Sequence, residues 1–267
     1  MPKPSAIAIG AHPDDIEFCM AGTLLQLKAV GWTIHYFNLS SGNLGSVKMN
    51  PNKIARTRAK EARAASRILG AKYHPSICDD LEIMYDVPTL RKVSAVIRKS
   101  KASIILTHSP VDYMEDHTNT CRLAVTAAFT HGMPNFKSSP ATKSYGQNVT
   151  VYHAMPHSLR DPLRKRVTPG AFVNTVDVHQ KKIEALASHE SQQDWLDVSQ
   201  GMNSYLTAAD DMSRMVGRLA KIFKHAEGWR RHLHYGFSSK EEDPLKEALG
   251  KRYLVNQQYE RLLEKGN

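Results

Sequence analysis

Four strand-like runs, Ala6–Gly10, Thr33–Leu39, Lys72–Ile77 and Ser103–Thr107, alternate with helix-patterned stretches at 16–30, 52–69 and 88–100. A strand that leads through a helix into the next strand of the same sheet runs parallel to it, with a right-handed crossover. This alternation confines the chain to an α/β fold, a Rossmann-like, mostly parallel sheet flanked by helices. Gly31 and Gly70 stand where helix C-caps are expected. Beyond the fourth strand the pattern predicts a helix at 117–131, strands at 148–153 and 172–176, and helices near 178–190 and 205–226. The length of 267 residues suits one large domain over 1–237, followed by a highly charged C-terminal tail or arm at 238–267.

The first strand ends in Ala11-His12-Pro13-Asp14-Asp15 and runs directly into a helix. Pro13 stiffens this turn by fixing its own φ and restricting His12. A helix N-cap would account for one aspartate, but not for an imidazole and two carboxylates together. Such a turn can hold His12 and Asp15 against one divalent metal and leave Asp14 free as a base. No glycine-rich G-x-G-x-x-G follows the strand, which argues against a dinucleotide: a pyrophosphate needs open backbone amides and no nearby carboxylates.

Open α/β sheets place their sites beyond the carboxyl ends of the strands, where the strand order reverses. With the order 3-2-1-4, strands one and four are neighbours at that point. Strand four delivers Thr107-His108-Ser109-Pro110, then Asp112, Tyr113, Met114, Glu115, Asp116 and His117. His117 heads an otherwise apolar helix face with Cys121, Ala124, Val125 and Ala128. It reads as a third ligand, with Asp116 beside it able to hydrogen-bond a ligand or a substrate group. His108 is the weaker candidate, read as facing away from the pocket. Two histidines and a carboxylate with an open position describe a catalytic zinc site. In the helix at 52–69, Arg58 and Glu61 fall inside the apolar stripe. They are either a buried i,i+3 ion pair or a guanidinium reaching the pocket mouth. His189, at the end of the helix from Val178, is either a core or capping residue or a member of the site.

The net charge of +10 is spread over several clusters without interleaved aromatics, so it reads as a solvated basic surface and no nucleic-acid partner is expected. No run approaches the roughly 18 continuous apolar residues of a membrane span. The start of the chain lacks the apolar region of a secretory leader. Cys19, Cys78 and Cys121 are scattered and read as reduced thiols of a cytoplasmic protein.

The segment A-H-P-D-D-x-E-x-x-x-x-G-T-L, from Ala11 to Leu24, resembles the PIG-L, or LmbE-like, zinc-dependent N-deacetylases. Supporting matches are Ser41-Gly42, Arg58-x-x-Glu61, Leu69-Gly70, the acidic pair Asp79-Asp80, Asp116-His117 and Lys182-x-x-Ala185-Leu186-x-x-His189-x-Ser191-Gln192. Members remove acetyl groups from N-acetylglucosamine units of GPI-anchor, mycothiol and bacillithiol precursors and from related amides. The resemblance implies zinc (Zn2+, or another divalent transition metal) on His12, Asp15 and His117, with Asp14 as base. Arg58, Asp80, Asp116 and His189 are the substrate-binding candidates. One departure stands out. Many members carry a histidine three residues before the last ligand, where this chain has Met114. Methionine can neither stabilise an oxyanion nor protonate an amine, which leaves that role to Asp116, Tyr113, another histidine such as His189, or the metal alone.

The expected activity is hydrolysis of an N-acyl amino sugar or a related small amide. The alternatives are a zinc amidase on a thiol-conjugate or other anionic amide, and a catalytically weak sugar- or nucleotide-binding homologue. A homo-oligomer is left open.

Overall fold

The computed structural model describes residues 3–200 and 205–265. The strand β1 (Ser5–Gly10) is buried along its whole length, as an apolar run at the centre of a sheet must be. After it come α1 (Asp15–Cys19), α2 (Ala21–Ala29), β2 (Thr33–Asn38), α3 (Pro51–Leu69), β3 (Lys72–His74), α4 (Val87–Ser100), β4 (Ile104–Thr107) and α5 (Glu115–Phe129). The second half contributes β5 (Thr150–Ala154), β6 (Ala171–Asn174), α6 (His179–Ala187), α7 (Glu190–Gln200), α8 (Tyr205–Ala220), β7 (Ala226–Arg231), α9 (Pro244–Leu249), β8 (Tyr253–Val255) and α10 (Gln257–Lys265).

Eight strands form one sheet in the order β3-β2-β1-β4-β5-β7-β6-β8. The five strands from β3 to β5 are parallel, and β7, β6 and β8 join antiparallel. The expected 3-2-1-4 order, with its switch between β1 and β4, is the one observed. Alternate residues of β1 feed opposite cores: Ala6 and Ala8 pack under α2, α3 and α6, while Ile7 and Ile9 pack under α4 and α5. Local signals account for both ends of α3. Asn50 caps α3 by accepting from the Lys53 amide, Pro51 follows it, and Gly70 ends the helix at a φ of +68°.

The structure departs from the sequence expectations in three places. The helix expected at 16–30 is broken at Met20 (φ −134°). The reason is remote: Glu227, on β7, accepts from the Gly22 and Thr23 amides at 2.8 and 2.7 Å and caps α2, while the buried Lys182 ammonium holds the same carboxylate at 2.7 Å. The helix expected at 205–226 ends at Ala220, and the unforeseen β7 is inserted between β5 and β6. Its sequence, Ala-Glu-Gly-Trp-Arg-Arg, has no apolar alternation because the buried Glu227 serves as a cap. Finally, the tail expected at 238–267 is corrected. Leu245 and Leu249 are buried, Asp243 accepts from the Tyr152 hydroxyl at 2.7 Å, and β8 pairs with β6.

His35 on β2 and His74 on β3 are buried and joined nitrogen to nitrogen at 2.8 Å, with rings stacked. Burial, reinforced by Lys72 and Lys99 and, for His35, by His74, holds His35 down to about 3 and His74 to about 4. Both therefore stay neutral in the fold while the unfolded chain takes up protons below about pH 6.5. Their contribution is complete above pH 6.5 and is lost as pH falls toward 4, at up to about 1.4 kcal/mol per pH unit for each proton. Urea unfolding between pH 7 and 4.5 should show this decline, and the double variant His35→Phe/His74→Leu should show a shallower one.

Candidate active site

At the end of β1 the chain turns sharply. Asp14 adopts a φ of +113°, a conformation that costs a non-glycine residue of order 1–3 kcal/mol. Asp15 stabilises the turn, because its Oδ2 accepts from the amides of Ala11 (3.1 Å) and His12 (2.7 Å). Its Oδ1 is left facing His117 Nε2, 3.4 Å away. Asp112 lies 3.0 Å from His117 Nδ1 and orients that ring. Asp116 does the same for His12, with Oδ2 3.0 Å from its Nε2, and also accepts from the Leu81 amide at 2.8 Å. Each imidazole thus has one nitrogen committed to a supporting carboxylate and the other directed toward the group, an arrangement common to metal-ligating histidines. His12, Asp15 and His117 bring donor atoms within 4.8 Å of one another.

The electrostatics follow from these contacts. Burial alone would raise the Asp15 carboxyl, but His117 and His108 outweigh it and hold it well below the usual carboxylate range. Burial would likewise lower both imidazoles. Hydrogen bonds to Asp116 and Asp15 instead lift His12 to about 9, and Asp15 with Asp112 lifts His117 to about 10. An ion entering this group would displace protons. Asp14 behaves oppositely: burial raises its carboxyl, and the Arg58 guanidinium 3.7 Å away opposes the rise. The Tyr205 hydroxyl donates to Asp14 Oδ2 at 2.6 Å.

These groups border a cavity of about 760 Å³. His12, Asp14, Asp15, His117, Arg58 and Asp80 all line it. Arg58 is buried, donates to the Pro13 carbonyl at 2.6 Å and forms no pair with Glu61. Glu61 instead accepts from the Ser191 amide (2.9 Å) and hydroxyl (2.6 Å). Of the two readings of Arg58, the guanidinium at the cavity is the one observed. Asp80 reaches the cavity with its carboxylate engaged by the amides of Gly42 and Leu44. Two candidates for substrate contact are corrected. Asp116 does not line the cavity, being occupied with His12 and Leu81. His189 is fully buried, 3.3 Å from Glu17, and also lies off the cavity. His108, the weaker candidate, packs behind the group, stacked on His117 at 4.1 Å, with its Nε2 accepting from the Ala11 amide. It closes the back of the group without reaching the cavity surface.

Sequence reasoning missed Tyr205 and His157. His157 lines the cavity from the loop after β5, with its ring centroid 4.6 Å from Phe18 and 6.2 Å from His117. Ser158 and Leu159, which follow it, both take positive φ (57° and 56°). Burial holds it down to about 4, so it is neutral at pH 7. The available signal was Met155-Pro156-His157 at the carboxyl end of a parallel strand beside β4.

Residues 7–128 match the family model described as GlcNAc-PI de-N-acetylase, PIG-L. The matched segment holds the His12, Asp15 and His117 group, while Tyr205 and His157 lie beyond it. Over 193 residues the chain is 28% identical to diacetylchitobiose deacetylase of Thermococcus kodakarensis, covering 70% of this chain and 69% of that protein. It is equally identical, 28% over 200 residues, to 4-oxalmesaconate hydratase of Pseudomonas putida, covering 72% and 75%. In three dimensions it resembles N,N'-diacetylchitobiose deacetylase from Pyrococcus horikoshii, with a TM-score of 0.72 at 20% identity over 90% of this chain and 88% of that one. That likeness shows the fold.

Gly42 sits at a φ of +74° against Arg58, and a Cβ there would meet Arg58 Cδ at 2.5 Å. Gly42→Ala should lower the melting temperature, by an amount worth about 1 kcal/mol or more from the backbone alone, and should displace the guanidinium. Gly146→Ala, with nothing within 4 Å, should melt like the wild type.

Proposed function

We propose that the protein is a zinc-dependent N-deacetylase that hydrolyses the amide of an N-acetylglucosamine-like compound. The observation that carries this reading is the placement of Asp14, a buried carboxylate in a strained backbone, at the same cavity edge as the His12, Asp15 and His117 donors. Two imidazoles and a carboxylate with room for a fourth ligand fit zinc. Zinc, when bound, supplies Lewis-acid polarisation of the amide carbonyl and of the attacking water. Asp14 takes the proton of that water, favoured by the burial that raises its carboxyl, and Tyr205 holds its other oxygen in place. His157, neutral, presents a ring N–H to the developing amide oxyanion, a role that Met114 cannot fill. Arg58 grips substrate oxygens. The three free cysteines suit the reducing cytoplasm.

A second reading, hydration of an unsaturated tricarboxylate, is favoured by Arg58 and Arg160 on the cavity wall and by the named activity of the Pseudomonas putida relative. Both reactions use a base and a water, so the substrate decides between them. Acetate release from N-acetylglucosamine and diacetylchitobiose supports the first reading. Hydration of 4-oxalmesaconate with no acetate release from the amides supports the second.

Single replacement of His12, Asp15 or His117 by Ala should sharply reduce the zinc retained per chain. Asp14→Asn should retain zinc while turnover falls by about 10²–10⁴-fold. Native turnover in Asp14→Asn removes the assigned base.

His157→Phe should keep the fold, since the ring packs on Phe18. Its kcat should fall by about 10²–10³-fold with KM little changed, as for loss of an oxyanion donor. Steady-state kinetics on the best acetylated substrate provide the check.

A further inference from the structure

A second set of donors converges away from the cavity. His179 opens α6, Asp210 lies in α8, and His225 immediately precedes β7. Asp210 Oδ1 is 2.7 Å from His179 Nε2 and 3.0 Å from His225 Nε2. The two imidazoles are stacked, with ring centroids 3.8 Å apart and planes at 12°, so both present Nε2 to the same oxygen. The three donor atoms lie within 4.8 Å of one another, and none of the residues borders the cavity. Among the described residues, the other groups of this kind share His117.

We propose that His179, Asp210 and His225 form a second, structural site for a divalent transition ion such as zinc. The spacing supports it. Zinc with ligands at about 2.0–2.1 Å sets them roughly 3.3 Å apart in a tetrahedron, so Asp210 Oδ1, 2.7 and 3.0 Å from the two nitrogens, need move only a few tenths of an ångström, while the stacked rings turn to aim their in-plane lone pairs at the ion. The donor chemistry supports it as well. Two imidazoles with one carboxylate suit zinc, cobalt or nickel better than magnesium or calcium, which prefer all-oxygen shells. The carboxylate is pre-oriented: Arg214, one turn along α8, donates from Nε to Asp210 Oδ2 at 2.5 Å and leaves Oδ1 to the two rings. Asp210 is partly open to solvent, with 27% of its side chain accessible, which gives the ion a route in and water as a fourth ligand.

The position gives the site a purpose. α6 leads through His189 to α7, whose Gln192 and Trp195 line the cavity, and α8 begins at Tyr205, which holds Asp14. An ion at this corner ties α6, α8 and the start of β7 together behind the two helices that wall the cavity.

The test uses the full chain, stripped with a chelator, reloaded with zinc and desalted. Zinc per chain is then counted by mass spectrometry, and melting temperature is recorded with and without zinc. His225→Ala and Asp210→Asn should each hold one equivalent less than wild type and gain less in melting temperature when zinc is added. The isosteric Asp210→Asn guards against a folding defect in His225→Ala. The result is a difference between wild type and variant, so it stands whether or not the cavity trio binds zinc; His12→Ala reports separately on that trio. A wild-type zinc count in both variants overturns the proposal.

Discussion

Asp15 Oδ2 closes the turn at the end of β1 by accepting from the amides of Ala11 and His12, and the geometry of the cavity edge depends on that closure. Because one oxygen is committed to the backbone, the other faces His117 from a fixed position. The same turn forces Asp14 into its positive φ and swings that carboxylate to the cavity side, where Tyr205 and Arg58 meet it. Two adjacent aspartates thereby acquire opposite electrostatic characters. Asp15 is held ionised by histidines, and Asp14 is pushed toward its protonated form by burial.

Support radiates outward from that turn in carboxylate and imidazole layers. Asp112 and Asp116 orient the two histidines, His108 stacks behind His117, and His189 meets Glu17 beneath the first helix. Several residues that resemble substrate contacts in the sequence have this positioning work instead. The apolar part of the cavity wall comes from Phe18, Tyr113, Leu196 and their neighbours.

The parallel half of the fold was legible in the sequence because its signals are local. Apolar strands, Asn50 and Gly70 at the ends of α3, and the His-Pro-Asp-Asp turn each depend on residues within a few positions. The convergence of His12, Asp15 and His117 was legible from strand order alone. The break at Met20 was not, since its cause is Glu227, about two hundred residues away in the chain. Tyr205 was hidden for the same reason, because nothing near it in sequence reveals Asp14 as its partner. His157 was obscured by its setting in an irregular loop, and β7 by a sequence whose buried charge breaks the strand pattern. The C-terminal segment looked like a solvated arm because its many charges outnumber the few apolar residues, Leu245 and Leu249, that anchor it.

The insertion of β7 between β5 and β6 dictates an order of assembly. As the chain leaves the ribosome, β6 is made before either strand it pairs with, for it contacts only β7 and β8 in the sheet. The parallel strands through β5 can associate early, but β5 then presents an open edge until Arg231 has emerged. An unpaired edge of that kind invites pairing with another nascent chain. A ribosome stalled between residues 175 and 225 would therefore hold a sheet that is complete on one side and adhesive on the other.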